Sequence, residues 1–218
     1  MLIGLALGTL SSLAALSEIR VLRVSAAFYI WIFRGTPVLV QLLLWYNAAL
    51  VFPTVTIPGF GTYLTTSLIT PFVAALVDLG INEGAYMSEI IRGGLISVGD
   101  GQRQAAQALG MTPLVAMRRV ILPQAFRVAL PGTGNQFVIM LKSSAMASIV
   151  QYSELLNAAE NVYQRNFAII ELLLVASFWY IVLTTLFTVV QSIIERRLGR
   201  SVRGFQTAST SIWHRRKA

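Results

Sequence analysis

The chain has 218 residues, of which 56% are hydrophobic and only 12% are charged, with a formal net charge of +8. A soluble globular domain carries about 25% charged residues, so this composition indicates that the solvent of the folded chain is the lipid bilayer. There is no Cys and a single His, His214, which excludes disulfides, thiolate metal sites and zinc sites built from several histidines. The Gly-rich phosphate loop of P-loop ATPases is missing too, so any energy that the protein uses must come from another subunit or a gradient.

Five apolar stretches predict an all-α polytopic membrane protein with about five transmembrane helices. The first is shorter than the roughly 20 residues of a spanning helix, so either its start is missing, through truncation or a misassigned start, or the span is short. Thr36 and Pro37 are predicted to open the second stretch as N-cap and first helical residue. Residues 53–63 are predicted to be a loop, and 151–166 a polar segment with a helical pattern. The apolar stretches cover residues 2–16, 38–52, 66–91, 132–150 and 169–194.

The basic residues predict the orientation of these spans. Three segments that the span order places on one side, 18–34, 92–127 and 195–218, hold 15 of the 17 Lys and Arg residues. By the positive-inside rule this side is cytoplasmic, which places the N-terminus outside and the C-terminus inside. We therefore expect a transmembrane domain over residues 1–195 and a basic cytoplasmic tail over 196–218. No internal repeat is visible, which disfavours an inverted-repeat secondary transporter.

The long cytoplasmic segment is predicted to fold as two short helices. Asp100 is a candidate N-cap for the first, and Gly110 ends it because glycine accepts the left-handed conformation at a helix end. Thr112 and Pro113 then begin a second helix, which Pro123 is expected to limit. The residues alone fit two interpretations equally well: a knob that docks into a groove of a partner protein, or an amphipathic hairpin on the membrane surface.

The pattern of this segment resembles the EAA loop of binding-protein-dependent ABC importer permeases. Gln104 stands where that motif commonly has Glu, and Leu95 and Met117 occupy its further apolar positions. The resemblance favours the docking knob and implies that a separate ATPase binds about residues 95–127, here named the coupling loop. The residues to which the resemblance assigns ATPase coupling are Gln104, Ala105, Ala106, Gly110, Met111, Ile121, Leu122 and Pro123.

Flanking stretches resemble the polar amino acid permeases, of the histidine, glutamine or glutamate type. They are Phe33-Arg34-Gly35-Thr36-Pro37 with Gln41, the run from Glu83 to Gly94, and Pro131 to Gln136 with Leu141-Lys142 and Ala147-Ser148. The family often has an acidic residue after the lysine, where this chain has Ser143. The resemblance covers nearly the whole chain.

The resemblance implies a type I ABC importer (MetI-like) transmembrane domain in the bacterial inner membrane. Such a permease pairs with itself or a close relative, binds two ATPase subunits, and receives polar L-amino acids from a periplasmic or lipid-anchored solute-binding protein. It is not an enzyme and needs no cofactor of its own, because ATP and Mg belong to the partner ATPase. No nucleic acid partner is implied, and the net positive charge is explained by membrane orientation.

Polar residues within the predicted third and fourth spans are candidates for the substrate pathway, because ionisable groups in a membrane are costly and usually face protein or water. Lys142 alternatively pairs with an acidic residue or snorkels to the interface, and Asn135 and Gln136 alternatively bond between helices. Glu89 and Arg92, three residues apart, are expected to pair locally. The pathway candidates are Asp78, Asn82, Glu83, Asn135, Gln136, Lys142, Ser143 and Ser144.

Two other functions compete with the import of polar amino acids. An importer for another small solute, such as an opine or a sulfur amino acid, would carry the same coupling loop. A stand-alone channel or a membrane-embedded enzyme would not need that loop, and an enzyme should show a reactive constellation inside the bilayer, which the sequence lacks. Co-purification with an ABC-type ATPase separates these classes.

Overall fold

The computed structural model describes residues 1–59 and 61–214, with side chains as far as residue 197. The chain is mostly helical, and short 3-10 segments lie at Ala48–Leu50 and Ser144–Val150. The helices are α1 Leu2–Ala15, α2 Arg20–Gly35, α3 Val38–Tyr46, α4 Thr65–Leu68, α5 Pro71–Ile96, α6 Asp100–Ala108, α7 Pro113–Ala116, α8 Leu122–Ser143, α9 Leu155–Asn166 and α10 Ile169–His214. The strands are β1 Thr54–Ile57 and β2 Gly61–Leu64.

Helix α5 is the centre of the bundle, and α1 packs along it through small residues. A Cβ atom added at Gly8 would lie 2.4 Å from Met87 Cβ, and one at Gly84 would lie 2.8 Å from Leu7 Cβ. Such spacing lets two backbones approach closely, which is how helices associate in lipid, where little hydrophobic force acts between them. Each helix carries the small residues four apart: Gly4, Gly8 and Ser12 on α1, and Gly80, Gly84 and Ser88 on α5.

The chain turns sharply between α2 and α3, where the sequence predicted an N-cap. The two helices are bent by 100° at this break. The expected cap at Thr36 is wrong, because its hydroxyl donates to Ile32 O at 2.8 Å and accepts from Gln41 Nε2 at 2.6 Å. Pro37 instead precedes the first helical residue, and α3 ends at Tyr46, well before the expected end of the second span.

Residues 53–63, predicted to be a loop, contain an antiparallel β-hairpin. Val55 pairs with Tyr63, and the hydroxyl oxygens of Thr56 and Thr62 lie 2.9 Å apart. Among the described residues this exposed hairpin is a departure from the all-α expectation. It forms because all four residues of β1 are β-branched and favour a strand, while Gly59 and Gly61 adopt positive φ in the turn that follows.

Helix α5 begins later and ends later than the predicted third span. Thr70 caps it by accepting a hydrogen bond from Val73 N at 3.3 Å, and Pro71 is its first residue. The same Thr-Pro signature predicted the helix start at Thr112, but no helix start was predicted at Thr70. With 26 residues the helix is about 39 Å long, which exceeds the hydrocarbon thickness of a bilayer.

The segment that was predicted to be cytoplasmic differs from the prediction at both of its limits. Asp100 lies in the first turn of α6, and Gly99 is the N-cap. Helix α7 is followed directly by a π-helical segment, Met117–Ile121, and then by α8, so Pro123 does not end the second helix. The π pattern shifts the hydrogen bonds around Pro123, which has no N–H to donate. The second short helix is therefore the beginning of the next long one.

The last third of the chain follows the sequence prediction more closely. The helical pattern over 151–166 is confirmed by α9, whose N-terminus is capped by Glu154: its carboxylate accepts from Asn157 N at 2.7 Å. The Tyr180 hydroxyl donates to the same carboxylate at 2.8 Å and joins α9 to α10. Helix α10 continues into the predicted basic tail, whose residues 215–218 lie outside the described part.

Within the described residues, one helical segment, Ile169–Arg197, is both long and apolar enough to cross a membrane. The bent pair α2 and α3 reaches that standard only if it is counted as one broken span. Helices α5 and α8 are long enough but carry polar and charged residues. The number of spans therefore stays a prediction.

Candidate functional site

The predicted coupling residues divide into an outer and an inner group. Ala106 and Ile121 are buried, at 2% and 5% exposure, and Met111 is half-buried. Helix α6 turns Ala106 towards its own chain, and the assignment of this residue to ATPase coupling stays a prediction. The exposed members are Gln104, Ala105, Gly110, Leu122 and Pro123.

The turn between the short helices has the predicted geometry. Gly110 has φ +72°, the left-handed region that strains any residue with a Cβ. Its N–H donates to Gln107 O at 2.9 Å, which closes the C-terminus of α6. An added Cβ would meet nothing within 4 Å, so the requirement for glycine is conformational in the isolated chain.

The inner face of the coupling loop is anchored to both long helices that flank it. Ile121 and Ala125 form a buried cluster with Leu95 and Val98. A Cβ at Gly94 would lie 2.7 Å from Ala125 O, so α5 and α8 touch here backbone to backbone. A displacement of the loop must therefore move the ends of α5 and α8 together.

The tip of the loop exposes large apolar side chains. Leu109 and Leu114, on either side of Gly110, are 76% and 78% exposed. Exposed apolar side chains on an otherwise polar, charged loop mark a surface that contacts another protein or the membrane. Neither leucine is among the residues that the resemblance assigned to ATPase coupling.

A cavity of about 590 Å³ lies where the α2–α3 turn, α5 and α8 meet. This volume is within the range of small-molecule sites in proteins. The residues lining it are Arg34, Gly35, Thr36, Pro37, Val38, Leu79, Asn82, Glu83, Tyr86, Gln136, Ile139, Met140 and Ser143.

The cavity brings together four of the eight predicted pathway residues: Asn82, Glu83, Gln136 and Ser143. Gln136 Nε2 donates to Glu83 Oε2 at 3.3 Å, so Gln136 bonds between helices and also lines the cavity. Asn82 Nδ2 donates to Gln41 Oε1 at 3.0 Å and to Phe33 O at 2.9 Å, which fixes the α2–α3 turn against α5.

The other four predicted residues lie outside this cavity. Asp78 is fully buried, and its carboxylate has no hydrogen-bond partner among the described residues. Asn135 and Lys142 are exposed, and Ser144 Oγ donates to Leu141 O at 2.7 Å. Lys142 forms no ion pair within the part of the chain that the structure describes, so the expected pairing with an acidic residue is not seen.

Arg34 and Tyr86 line the cavity but were not predicted as site residues. The Arg34 guanidinium lies 5.3 Å from the centre of the Tyr86 ring, and its Nη1 lies 4.0 Å from Glu89 Oε2. The predicted local pair of Glu89 and Arg92 is confirmed, with N–O distances of 2.7 and 3.1 Å. Arg34 and Tyr86 stand in the sequence stretches that carry the family resemblance, which was the signal available for finding them.

Residues 4–200 match the model of the family described as binding-protein-dependent transport system inner membrane component. The chain belongs to this family. The resemblance to ABC importer permeases is thereby confirmed, and with it a role in transport as a permease.

Similar proteins are transport-system permeases for amino acids. The permease is 38% identical to the arginine transport system permease protein ArgU of Corynebacterium glutamicum, over 90% of this chain and 62% of that one. It is also 38% identical to the L-cystine transport system permease protein TcyB of Bacillus subtilis, over 91% of this chain and 80% of that one. A putative glutamine transport system permease protein, GlnP of Rickettsia bellii, is 34% identical over 89% and 84% of the two chains. The permease thus spans about three fifths of the corynebacterial relative.

Solved structures show the same fold. A crystal structure of an amino acid ABC transporter with histidines superposes with a TM-score of 0.78 at 38% identity, covering 89% of this chain and 85% of that one. An inward-facing structure of the MetNI methionine ABC transporter gives a TM-score of 0.68 at 20% identity, with 90% and 86% covered. Together they confirm the type I, MetI-like fold.

Proposed function

We propose that this permease is the membrane-spanning subunit of an ATP-driven importer of polar amino acids. A separate ATPase subunit, which carries ATP and Mg, docks on the coupling loop at the cytoplasmic face. A second permease subunit, the same or a close relative, completes the pathway, and an external solute-binding protein delivers the substrate.

The observation that carries this proposal is the construction of the coupling loop. Its tip presents Leu109 and Leu114 to the outside, while Ile121 is buried against the ends of α5 and α8. An exposed apolar tip fits a partner groove, and a buried base transmits the displacement of that tip. Both properties are needed if an ATPase in another chain is to move the helices of this permease.

The cavity supports a pathway between α5, α8 and the α2–α3 turn. Two of these elements end in the buried cluster at the base of the coupling loop. We infer that ATP-driven closure of the ATPase pair moves α5 and α8 relative to the turn, which shifts the population between inward-open and outward-open states. Asn82, Glu83, Gln136 and Ser143 would then face the substrate as it passes.

The proposed topology has five spans, with the N-terminus outside and the C-terminus in the cytoplasm. Its support is the charge distribution together with the 26 and 22 residues of α5 and α8, which suffice to cross a bilayer. Asn82 and Glu83 on α5 and Gln136 on α8 are accommodated because they line the cavity between the helices. The exposed hairpin precedes α5, and the coupling loop follows it, so the proposed topology puts them on opposite sides of the membrane.

Leu114→Asp tests the docking of the ATPase. We expect at least about a tenfold loss of co-purifying ABC-type ATPase, because a carboxylate in an apolar contact must be desolvated without a partner. The matched control is Gln107→Asp, which adds the same charge at an exposed position of α6 and should keep most of the ATPase bound. Equal recovery with both variants would contradict the docking assignment, as would the absence of an ATPase from the wild-type preparation.

The proposed substrate class is tested by uptake into proteoliposomes that contain the complete importer. Arginine, glutamine and cystine are the first substrates to measure, because transport systems for these three have similar permeases. ATP-dependent accumulation of at least one polar amino acid is the expected result. Accumulation of only an opine, or of no amino acid at all, would show that the proposed substrate class is wrong.

A further inference from the structure

We propose that Gln191 of α10 is a positioning residue for transport: it keeps α8 rigid at Pro131, so that α8 passes the movement of the coupling loop on to the cavity. The inference rests on the proposed function, because it takes ATP-driven movement of that loop as its input. It goes beyond that function by giving α10, which does not line the cavity, a part in coupling ATP hydrolysis to import.

Helix α8 is weakened at a point between the coupling loop and the cavity. Pro131 lies inside the helix and has no N–H, so one helical hydrogen bond is missing there. Gly132 and Gly134 follow it, and glycine adds conformational freedom to a helix. Sharp bends in helices occur mostly at such proline and glycine positions. A displacement applied at the loop end of α8 can therefore be lost as a bend before it reaches Gln136 and Ser143 in the cavity wall.

The Gln191 side chain lies across this weak segment. Its Nε2 donates a hydrogen bond to Pro131 O at 3.2 Å, which joins two residues that are 60 positions apart in the chain. A Cβ atom added at Gly134 would overlap the Gln191 side chain, so the amide fills the space that this glycine leaves open. Gln191 therefore contacts both ends of the segment from Pro131 to Gly134.

Glu195 fixes the direction of the Gln191 amide. It follows Gln191 by about one turn of α10, and its Oε1 accepts a hydrogen bond from Gln191 Nε2 at 2.6 Å. Pro131 O and the Glu195 carboxylate are both acceptors, so the NH₂ end of the amide, which carries two donors, must face them. Because a hydrogen bond to a carboxylate is stronger than one between neutral groups, the amide is held in the orientation that reaches α8.

The other side of the weak segment rests on α5. A Cβ atom added at Gly132 would lie 3.0 Å from Ile90 Cγ2, which is closer than ordinary van der Waals contact. The segment is thus held between Ile90 of α5 and Gln191 of α10. Removal of the Gln191 amide frees it on the α10 side only.

The neighbouring contacts indicate that α10 stays packed on α8 without this hydrogen bond. Phe137 and Phe187 also join the two helices, with ring centres 4.8 Å apart. One hydrogen bond between membrane helices changes an equilibrium by only about threefold. Its loss should therefore alter how α8 moves rather than whether the permease folds.

The test measures how many ATP molecules the complete importer hydrolyses for each substrate molecule that it accumulates. The importer is reconstituted in proteoliposomes with its ATPase and binding protein, and the probe is whichever of L-arginine, L-glutamine and L-cystine the wild type imports. Gln191→Leu should raise the ratio of ATP to substrate by about threefold or more, because ATP is hydrolysed while α8 bends. Thr188→Val is the matched control: the Thr188 hydroxyl donates to Thr184 O within α10 itself, at 2.7 Å, so the ratio should stay at the wild-type value.

A second background separates positioning from a merely structural contact. Pro131→Ala restores the N–H that α8 lacks, so in this background Gln191→Leu should change the ratio little. If Gln191 only fastens α10 to α8, its loss has the same effect with and without the proline. Gln191→Asn is one methylene too short to reach Pro131 O and should raise the ratio as well, and it decides the question if Gln191→Leu does not fold.

The outcomes distinguish this inference from the proposed function. A wild-type importer that accumulates an amino acid, with an unchanged ratio in Gln191→Leu and Gln191→Asn, would overturn the role of Gln191 and leave the importer assignment standing. An equal rise of the ratio with and without Pro131→Ala would do the same. A wild-type importer that accumulates none of the three amino acids would overturn the proposed function and this inference together.

Discussion

Gly8→Ala should detach α1 from α5 and leave little folded permease in the membrane. The added Cβ would lie 2.4 Å from Met87 Cβ and 3.0 Å from both Met87 C and Ser88 N. Two of these three atoms are backbone, which no side-chain rotation can clear, so the helices must separate. Overpacking of this kind costs about 1–3 kcal/mol or more, and the separation also loses the close contacts made at Gly4 and Gly84.

The measurement is the amount of monodisperse protein recovered in mild detergent, together with its melting temperature. Gly93→Ala is the matched control, because its Cβ would meet nothing within 4 Å and the residue lies in the same kind of helix. The control should be recovered like the wild type or be slightly more stable, since alanine favours a helix over glycine. Wild-type recovery of Gly8→Ala would mean that α1 does not pack on α5 in this way.

Gly110→Val should nearly abolish ATP-driven uptake while the permease stays folded in the membrane. At φ +72° a β-branched residue is strained by about 1–3 kcal/mol, and the turn must open to relieve that strain. The direction of α6 relative to α7 then changes, and the exposed Leu109 and Leu114 no longer lie where the proposed ATPase groove requires them. We expect the loss in uptake, measured in proteoliposomes, to exceed tenfold.

Two controls isolate the backbone effect at this position. Gly110→Asn should retain a substantial part of uptake, because asparagine tolerates the left-handed region. Gly101→Val places the same side chain at an exposed helical position with open space around it, and it should transport like the wild type. If Gly110→Val transports normally, or if Asn is as harmful as Val, the conformational role of Gly110 is wrong.

Local signals in the sequence predicted three local features correctly, although the N-caps expected at Thr36 and Asp100 were wrong. The turn at Gly110, the helical pattern that became α9, and the pair of Glu89 and Arg92 each depend on residues within a few positions of one another. For such features the backbone preference or the side-chain spacing is the whole physical cause. They therefore follow from the sequence whatever the rest of the chain does.

Features that depend on two distant segments were missed. The close contact of α1 and α5 needs Gly4 and Gly8 to lie against Glu83 and Met87, and Gly80 and Gly84 to lie against Ile3 and Leu7. The spacing of four between the small residues in each segment was the available clue. The continuity of α7 with α8 overrode the usual effect of Pro123 through the π-helical segment between them. The sequence of α1 alone does not show which residues of α5 its glycines will contact. The sequence around Pro123 alone does not show that the helix adopts a π pattern there.

The candidate cavity was predicted in part, because α5 and α8, where polar site residues were expected, form only part of its wall. The α2–α3 turn forms the rest. Polar residues on α5 and α8 were correctly singled out as a group, since polar positions in a predicted span are unusual. Arg34 was counted for membrane orientation and belongs to a stretch that carries the family resemblance, but it was not predicted as a site residue. The 100° bend between α2 and α3 brings it into the cavity wall, and no pattern in the sequence specified that angle.

The central claim, that the coupling loop lies in the cytoplasm against an ATPase, is tested most directly by cysteine chemistry. The natural sequence contains no Cys, so Ala105→Cys introduces a single thiol at an exposed position of α6. In inside-out vesicles this variant should react with an impermeant maleimide and crosslink to the ATPase, whereas Thr56→Cys in the hairpin should react only from the opposite face. Labelling of Ala105→Cys from outside the cell, or crosslinking of that thiol to lipid alone, would contradict the account.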